Sequence, residues 1–159
     1  MALKGTSVVY PVFPADKYAC ITLKPEAGTR TPFGGDPDRN VKEACFQFEW
    51  IAVDSRKKPL TLKIDGRESE VKFSKRTGMQ YGGKRSSLTK IINAYFARPL
   101  TAVEFENFDL ELMEGTVVTL LVSVEVEEGK EYNSIVGITV QKPLSLDLVS
   151  ADPFDGEPA

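Results

Sequence analysis

Gly78-Met-Gln-Tyr-Gly-Gly83-Lys84-Arg85-Ser86 comes within one residue of a nucleotide phosphate loop. Such a loop needs Ser or Thr directly after its lysine to hold magnesium, and here Arg85 stands there, with Ser86 one residue late. No second strand–helix unit follows to supply an acidic magnesium partner. The glycines therefore read as a turn between two elements. The chain has no histidine and two cysteines, Cys20 and Cys45. That removes the Ser-His-Asp and Cys-His arrangements and leaves any zinc site dependent on mixed Cys and carboxylate ligands. Both cysteines are expected as buried free thiols. Glu104, Glu106, Asp109, Glu111 and Glu114 could suggest a nuclease metal site, yet they lie along one capped turn and its exit instead of converging from several strands. They read as a solvated acidic face. The expectation is a protein that is not an enzyme and has no cofactor and no metal.

What remains for chemistry is cations interleaved with aromatics. Net charge is −3 over 159 residues, but residues 55–98 carry 12 Lys/Arg against 3 Asp/Glu and residues 99–142 carry 2 against 9. One face can thus attract a polyanion while the whole molecule stays acidic. Lys72, Lys75, Arg76, Lys84 and Arg85 cluster with Tyr81. Lys24 and Tyr18 are expected outward on the first strand, Arg30 and Phe33 in a long first loop, and Lys130 and Tyr132 in a last hairpin. Cations that track a phosphate backbone beside rings that stack on bases suit a single strand better than a duplex.

These residues need a frame. Tyr18 to Lys24 alternates with period two, and its Ala19, Ile21 and Leu23 face is expected inward. Residues 25–42, with three prolines and three glycines, read as a long loop. In Glu43 to Val53 the Phe46, Phe48 and Trp50 face is the one to bury, because the other would bury Gln47 and Glu49. Leu60–Ile64 reads as a short strand or insertion ended by Asp65-Gly66, and Glu70–Thr77 as the third main strand. Leu88, Ile91, Ile92, Tyr95 and Phe96 then predict a helix capped by Ser86 or Ser87. Thr101-Ala-Val-Glu104 predicts a second short helix through a capping box. Residues 116–126 and 132–140 predict a hairpin turning at Glu127–Lys130. Three strands, a helix and two strands is the order of an OB-fold, a five-stranded barrel with its helix between strands three and four. Another small β-barrel or an open α+β sheet has the same order. The domain is expected over residues 1–142. Residues 143–159, four acids with no cation, are expected as a flexible acidic tail.

The run from Gly78 to Val140 carries a Lys/Ser segment and helix, Arg98-Pro-Leu-Thr101, Phe108-Asp-Leu110, a glycine-led strand from Gly115 and Gly129-Lys-Glu-Tyr132. In this it resembles a family of small bacteriophage proteins of DNA replication and recombination modules. Tyr18-Ala-Cys-Ile21, Gly28-Thr-Arg-Thr31 and Phe48-Glu49 extend the likeness over most of residues 17–142. Members often place a tryptophan and a glycine before the Arg-Pro element, where this chain has Tyr95-Phe96-Ala97. The resemblance implies an OB-fold-type single-stranded DNA-binding role. The tail is similar in style to the acidic tails of bacterial single-stranded DNA-binding proteins, which makes Asp152, Phe154 and Asp155 candidate contacts for replication or recombination proteins.

The expected function is a non-sequence-specific single-stranded DNA-binding protein of phage replication or recombination. The alternative is an interaction module without DNA binding: an inhibitor, a virion component, or an accessory subunit of a nuclease or recombinase. No apolar run has membrane-spanning length and no signal peptide is evident, so no membrane partner and a location in the host cytoplasm are expected. Self-association into a homo-oligomer is compatible with strand coating.

Overall fold

Phe48 and Trp50 sit two residues apart with no exposed surface, on the inner face of β3 (Glu43–Ala52) in the computed structural model, which describes residues 11–30, 43–83 and 85–146. β3 organises the sheet. Along one edge its first half pairs with β2 (Glu26–Arg30) and its last residues with β1 (Asp16–Thr22), while its other edge pairs with β6 (Lys72–Thr77). β1 pairs in turn with β7 (Val117–Glu127), and β7 with β8 (Lys130–Val140), all antiparallel. Among the described residues β6 and β8 each pair with one strand only, so the mainly β sheet is not closed into a barrel. β4 (Thr61–Ile64) and β5 (Arg67–Glu70) form a separate hairpin between β3 and β6.

The hairpin turns on Asp65 and Gly66, both with positive φ, the backbone a tight two-residue connection requires. The third main strand is therefore shorter than expected, beginning after Val71, whose N–H donates to Leu60 O. Residues 26–30, expected as loop, are a strand because β3 is long enough to pair with both β1 and β2 along the same edge.

The inward face of β1 is the reverse of expectation. Tyr18, Cys20 and Thr22 are buried and Ala19 is exposed. Burying a polar group is costly only when it lacks a partner. Here the Tyr18 hydroxyl donates to Pro14 O, and the Thr22 hydroxyl donates to Thr116 O at 2.9 Å. Both cysteines are free and buried, and burial pushes the Cys20 thiol up to about 12.

α1 (Ser87–Phe96) follows its sequence signals. Ser86 caps it, its side chain accepting from Thr89 N–H, and Leu88, Ile91, Ile92, Tyr95 and Phe96 are buried against the sheet. Each such side chain contributes about 1.5–3 kcal/mol relative to exposure. The helix stops at Ala97, held left-handed at φ 55, a conformation glycine adopts without a Cβ penalty. Beyond it, α2 (Ala102–Glu106) has the expected capping box between Thr101 and Glu104, and a 3-10 turn covers Leu110–Met113. Leu144 N–H donates to Tyr95 O, and Leu144 and Leu146 pack on the core. The folded unit thus extends past residue 142, and the tail from 147 onward, with Asp152, Phe154 and Asp155, lies outside the described residues. No described helix is long and apolar enough to cross a membrane.

Arg98 holds Glu104 from two nitrogens, at 3.3 and 2.9 Å, and Glu104 also accepts from Thr101 N–H. These bonds hold its carboxyl down at about 2, against an ordinary 4.5. A depressed folded-state value means that the cap contributes fully above about 4.5 and loses its contribution as pH falls toward 2. We predict that the Glu104 carboxyl, followed by NMR, titrates well below the other glutamates and that Arg98→Ala moves its midpoint back up. An unchanged midpoint in the variant would remove Arg98 as the cause.

Candidate nucleic-acid interface

β6 alternates exposed Lys72, Ser74 and Arg76 with inward Phe73, Lys75 and Thr77. Lys75 therefore does not share the outward face of Lys72 and Arg76. It points along the seam where the free edges of β6 and β8 face each other. Two depressions lie there, and a third adjoins them at the α1 N-terminus. The first, about 860 Å3, lies between β6 and the start of β8 and is lined by Lys72, Ser74, Lys130, Tyr132 and Asn133. The second, about 290 Å3, lies between β6, β8 and α1, with Lys75 and Lys90 in its lining. The third, about 580 Å3, holds Arg85 beside the α1 N-terminus. Ile135 lines both the first and the second, and Ser87 both the second and the third, so each shares a wall residue with the next along this track.

The wall between β6 and β8 is held by the segment before β1. Phe13 N–H donates to Asn133 Oδ1 at 2.8 Å and Asn133 Nδ2 donates back to Phe13 O at 2.8 Å, while the Phe13 ring meets Phe73 edge-on at 5.8 Å. Sequence reading missed this strap, since Phe13 and Asn133 are 120 residues apart. It also missed Lys90, whose helical position gave no hint of a neighbouring strand lysine.

Among the described residues no carboxylate lies within ion-pair distance of Lys75, Lys90, Arg76, Arg85 or Lys130. Others are engaged. Lys72 meets Glu70 at 3.4 Å, and Lys24 meets Glu111 at 3.6 Å on the acidic side of the molecule. Exposed pairs of this kind are worth about 0–1 kcal/mol and exchange readily for another anion. The hairpin tip is not basic, because Lys130 stands among Glu125, Glu127, Glu128 and Glu131. Glu49, Glu70 and Glu131 also line the first depression. Glu43 lines the third, so the second is the one of the three whose lining holds cations and no carboxylate.

Two of the expected stacking rings are structural. Tyr18 is only 6% exposed and packs on Phe73 at 5.1 Å. Burial first, and then the nearby Asp16 and Cys20, raise its hydroxyl above the usual tyrosine value. The Tyr81 hydroxyl donates to Asn93 Oδ1 and accepts from Leu100 N–H, each at 2.6 Å, and its ring meets Phe105 edge-on at 4.7 Å. Its partners all come from α1 and the chain beyond it. Gly82 N–H donates to Thr89 Oγ1 and Ser86 Oγ donates to Gln80 O, so the glycine segment is laced to the helix by side chains. It is a connector whose bonds leave Arg85 exposed at the end of the track. Tyr132, 44% exposed, lines the first depression. The side chain of Arg30, and Phe33 and Lys84 altogether, lie outside the described residues.

No protein-family model, curated protein or solved structure matches the chain. Among the described residues no three Cys, Asp or Glu side chains gather to hold a metal. The track offers point charges, the Tyr132 ring and apolar walls.

Proposed function

We propose that this protein binds single-stranded DNA without sequence preference, the strand lying along the β6–β8 seam. The observation that carries the reading is the succession of three depressions sharing wall residues, with Lys75, Lys90 and Arg85, which have no ion-pair partner among the described residues, toward one end and Lys130 and Tyr132 at the other. Cations spaced along a groove contact phosphates, which carry no base information, and an exposed ring stacks on any base. The spatial order β6, β3, β1 with β2, β7, β8, and α1 between β6 and β7, support assigning the sheet to the OB-fold type with its seam left open. The setting in phage replication or recombination is part of the proposal and rests on the resemblance of residues 78–140.

The test is binding of an unstructured oligothymidine, followed by strand mobility across a salt series. With about four phosphates neutralised by Lys75, Lys90, Arg85 and Lys130, the slope of log K against log salt should be about −3. No binding at low salt would overturn the reading. It would favour a protein-interaction module, for which one observation speaks: the free edges of β6 and β8, beside Glu49, Glu70 and Glu131, could accept an extended peptide.

A further inference from the structure

Lys75 occupies an inward position of β6, between Phe73 at 5% and Thr77 at 1% exposure. An ammonium there is expected to have a partner. Among the described residues it has no carboxylate, and neither has Lys90, which reaches the same cavity from the exposed flank of α1. Two like charges on one small cavity repel each other unless an anion lies between them. The remaining walls are Trp50, Ile91, Ile135 and Ile138, with Ser87 as a hydroxyl and Val136 on the exposed β8 edge.

We propose that this cavity is a nucleotide subsite that takes one base of the strand between its apolar walls, with that nucleotide's phosphate held by Lys75 and Lys90. The inference deepens the strand-binding reading and takes its ligand from it. The size fits. About 290 Å3 lies at the lower bound of the roughly 300–1,000 Å3 usual for small-molecule pockets, which is room for one ring system. The shape of the chemistry fits as well, since a nucleotide joins a flat ring with apolar faces to a charged group at one end. Trp50, the only tryptophan, forms part of the wall from its buried position, so its emission reports changes in the lining around it.

The probe is thymidine 5′-phosphate, titrated into the full chain while Trp50 emission and backbone amide shifts are followed, with 2-deoxyribose 5-phosphate as the ligand that lacks a base. The nucleotide should shift Trp50 emission and move the amides of Lys75, Lys90, Ile91 and Gly137, and the sugar phosphate should bind about tenfold more weakly. Val136→Trp narrows the mouth from an exposed position, 54% accessible, so it should melt like the parent and, followed by amide shifts because it adds a second tryptophan, weaken the nucleotide about tenfold. Equal binding of the two ligands, or shifts confined to other surfaces, would overturn the subsite. Oligothymidine separates the two levels. Undiminished strand binding by Val136→Trp would sink the subsite and leave the strand reading intact. Failure of the parent to bind strands, with thymidine 5′-phosphate still titrating the cavity, would sink the strand reading and keep the pocket.

Discussion

Tyr95→Phe should lower stability by about 2–4 kcal/mol, although it removes a single oxygen from a side chain with no exposed surface. The Thr22 hydroxyl has one proton, and it goes to Thr116 O at 2.9 Å. The bond of 2.6 Å between Thr22 and Tyr95 must then be donated by Tyr95. Tyr95 in turn accepts from Trp50 Nε1 at 2.7 Å. The direction is fixed: Trp50 to Tyr95 to Thr22 to Thr116. Burial pushes the Tyr95 hydroxyl up to about 12, against the opposing effect of its bonds with Thr22 and Trp50, so it remains a donor at any ordinary pH. Phenylalanine would orphan the buried indole N–H and one bond to Thr22 together, and each unsatisfied buried group costs about 1–3 kcal/mol. For a chain of this size the melting temperature should fall by roughly 6–12 °C. Replacing Trp50 by Phe as well should cost less than the sum of the two single changes, because both ends of the lost bond are then apolar. A Tyr95→Phe protein that melts with the parent would mean that this chain does not fasten α1 to the sheet.

Reversing Lys75 and Lys90 together to Glu should weaken oligothymidine binding by about 3 kcal/mol, roughly 100-fold, at low salt, and should flatten the salt dependence by about 1.4 in slope. Both effects should be the same for every base composition, since the lost contacts are to phosphate. Arg76→Glu is the informative comparison. It lies on the other face of β6 and lines none of the three depressions, so its effect should be the smaller. If Arg76→Glu costs as much as the double reversal, the strand crosses the outer face of β3 and β6 and does not follow the seam. Strand mobility measures affinity, and melting of each variant excludes a folding defect.

The elements that could be read from sequence are those whose signals are local. Ser86 and Thr89 are three residues apart, as are Thr101 and Glu104, and the apolar spacing from Leu88 to Phe96 lies within one helix. The turn at Glu128-Gly129, both with positive φ, is local too. What alternation could not settle was which face of β1 to bury, because Tyr18 and Thr22 are admitted to the core by hydrogen bonds to Pro14 and Thr116, and the second is 94 residues away. β2 was hidden by Pro25 and Gly28, which carry loop signals while the backbone pairs with β3. The basic block was visible as charge. Alternation along the strand also set Lys72, Ser74 and Arg76 outward, but it could not show what Lys75 meets on the other face, because α1 and β8 approach it only in the fold. Tyr81 looked like a stacking ring for the same reason, since Asn93, Leu100 and Phe105 reach it only once α1 has folded back.

The path of the strand is tested most directly by mapping backbone amide shifts of the labelled protein as an oligothymidine is added. Perturbations should trace the seam, from Tyr132 and Ile135 through Gly137 and Lys75 to Lys90, Ser87 and Arg85, and should spare Glu104 to Glu114. Shifts concentrated on the α2 and 3-10 side, or no shifts at all with strand in excess, would contradict single-strand binding along the β6–β8 seam.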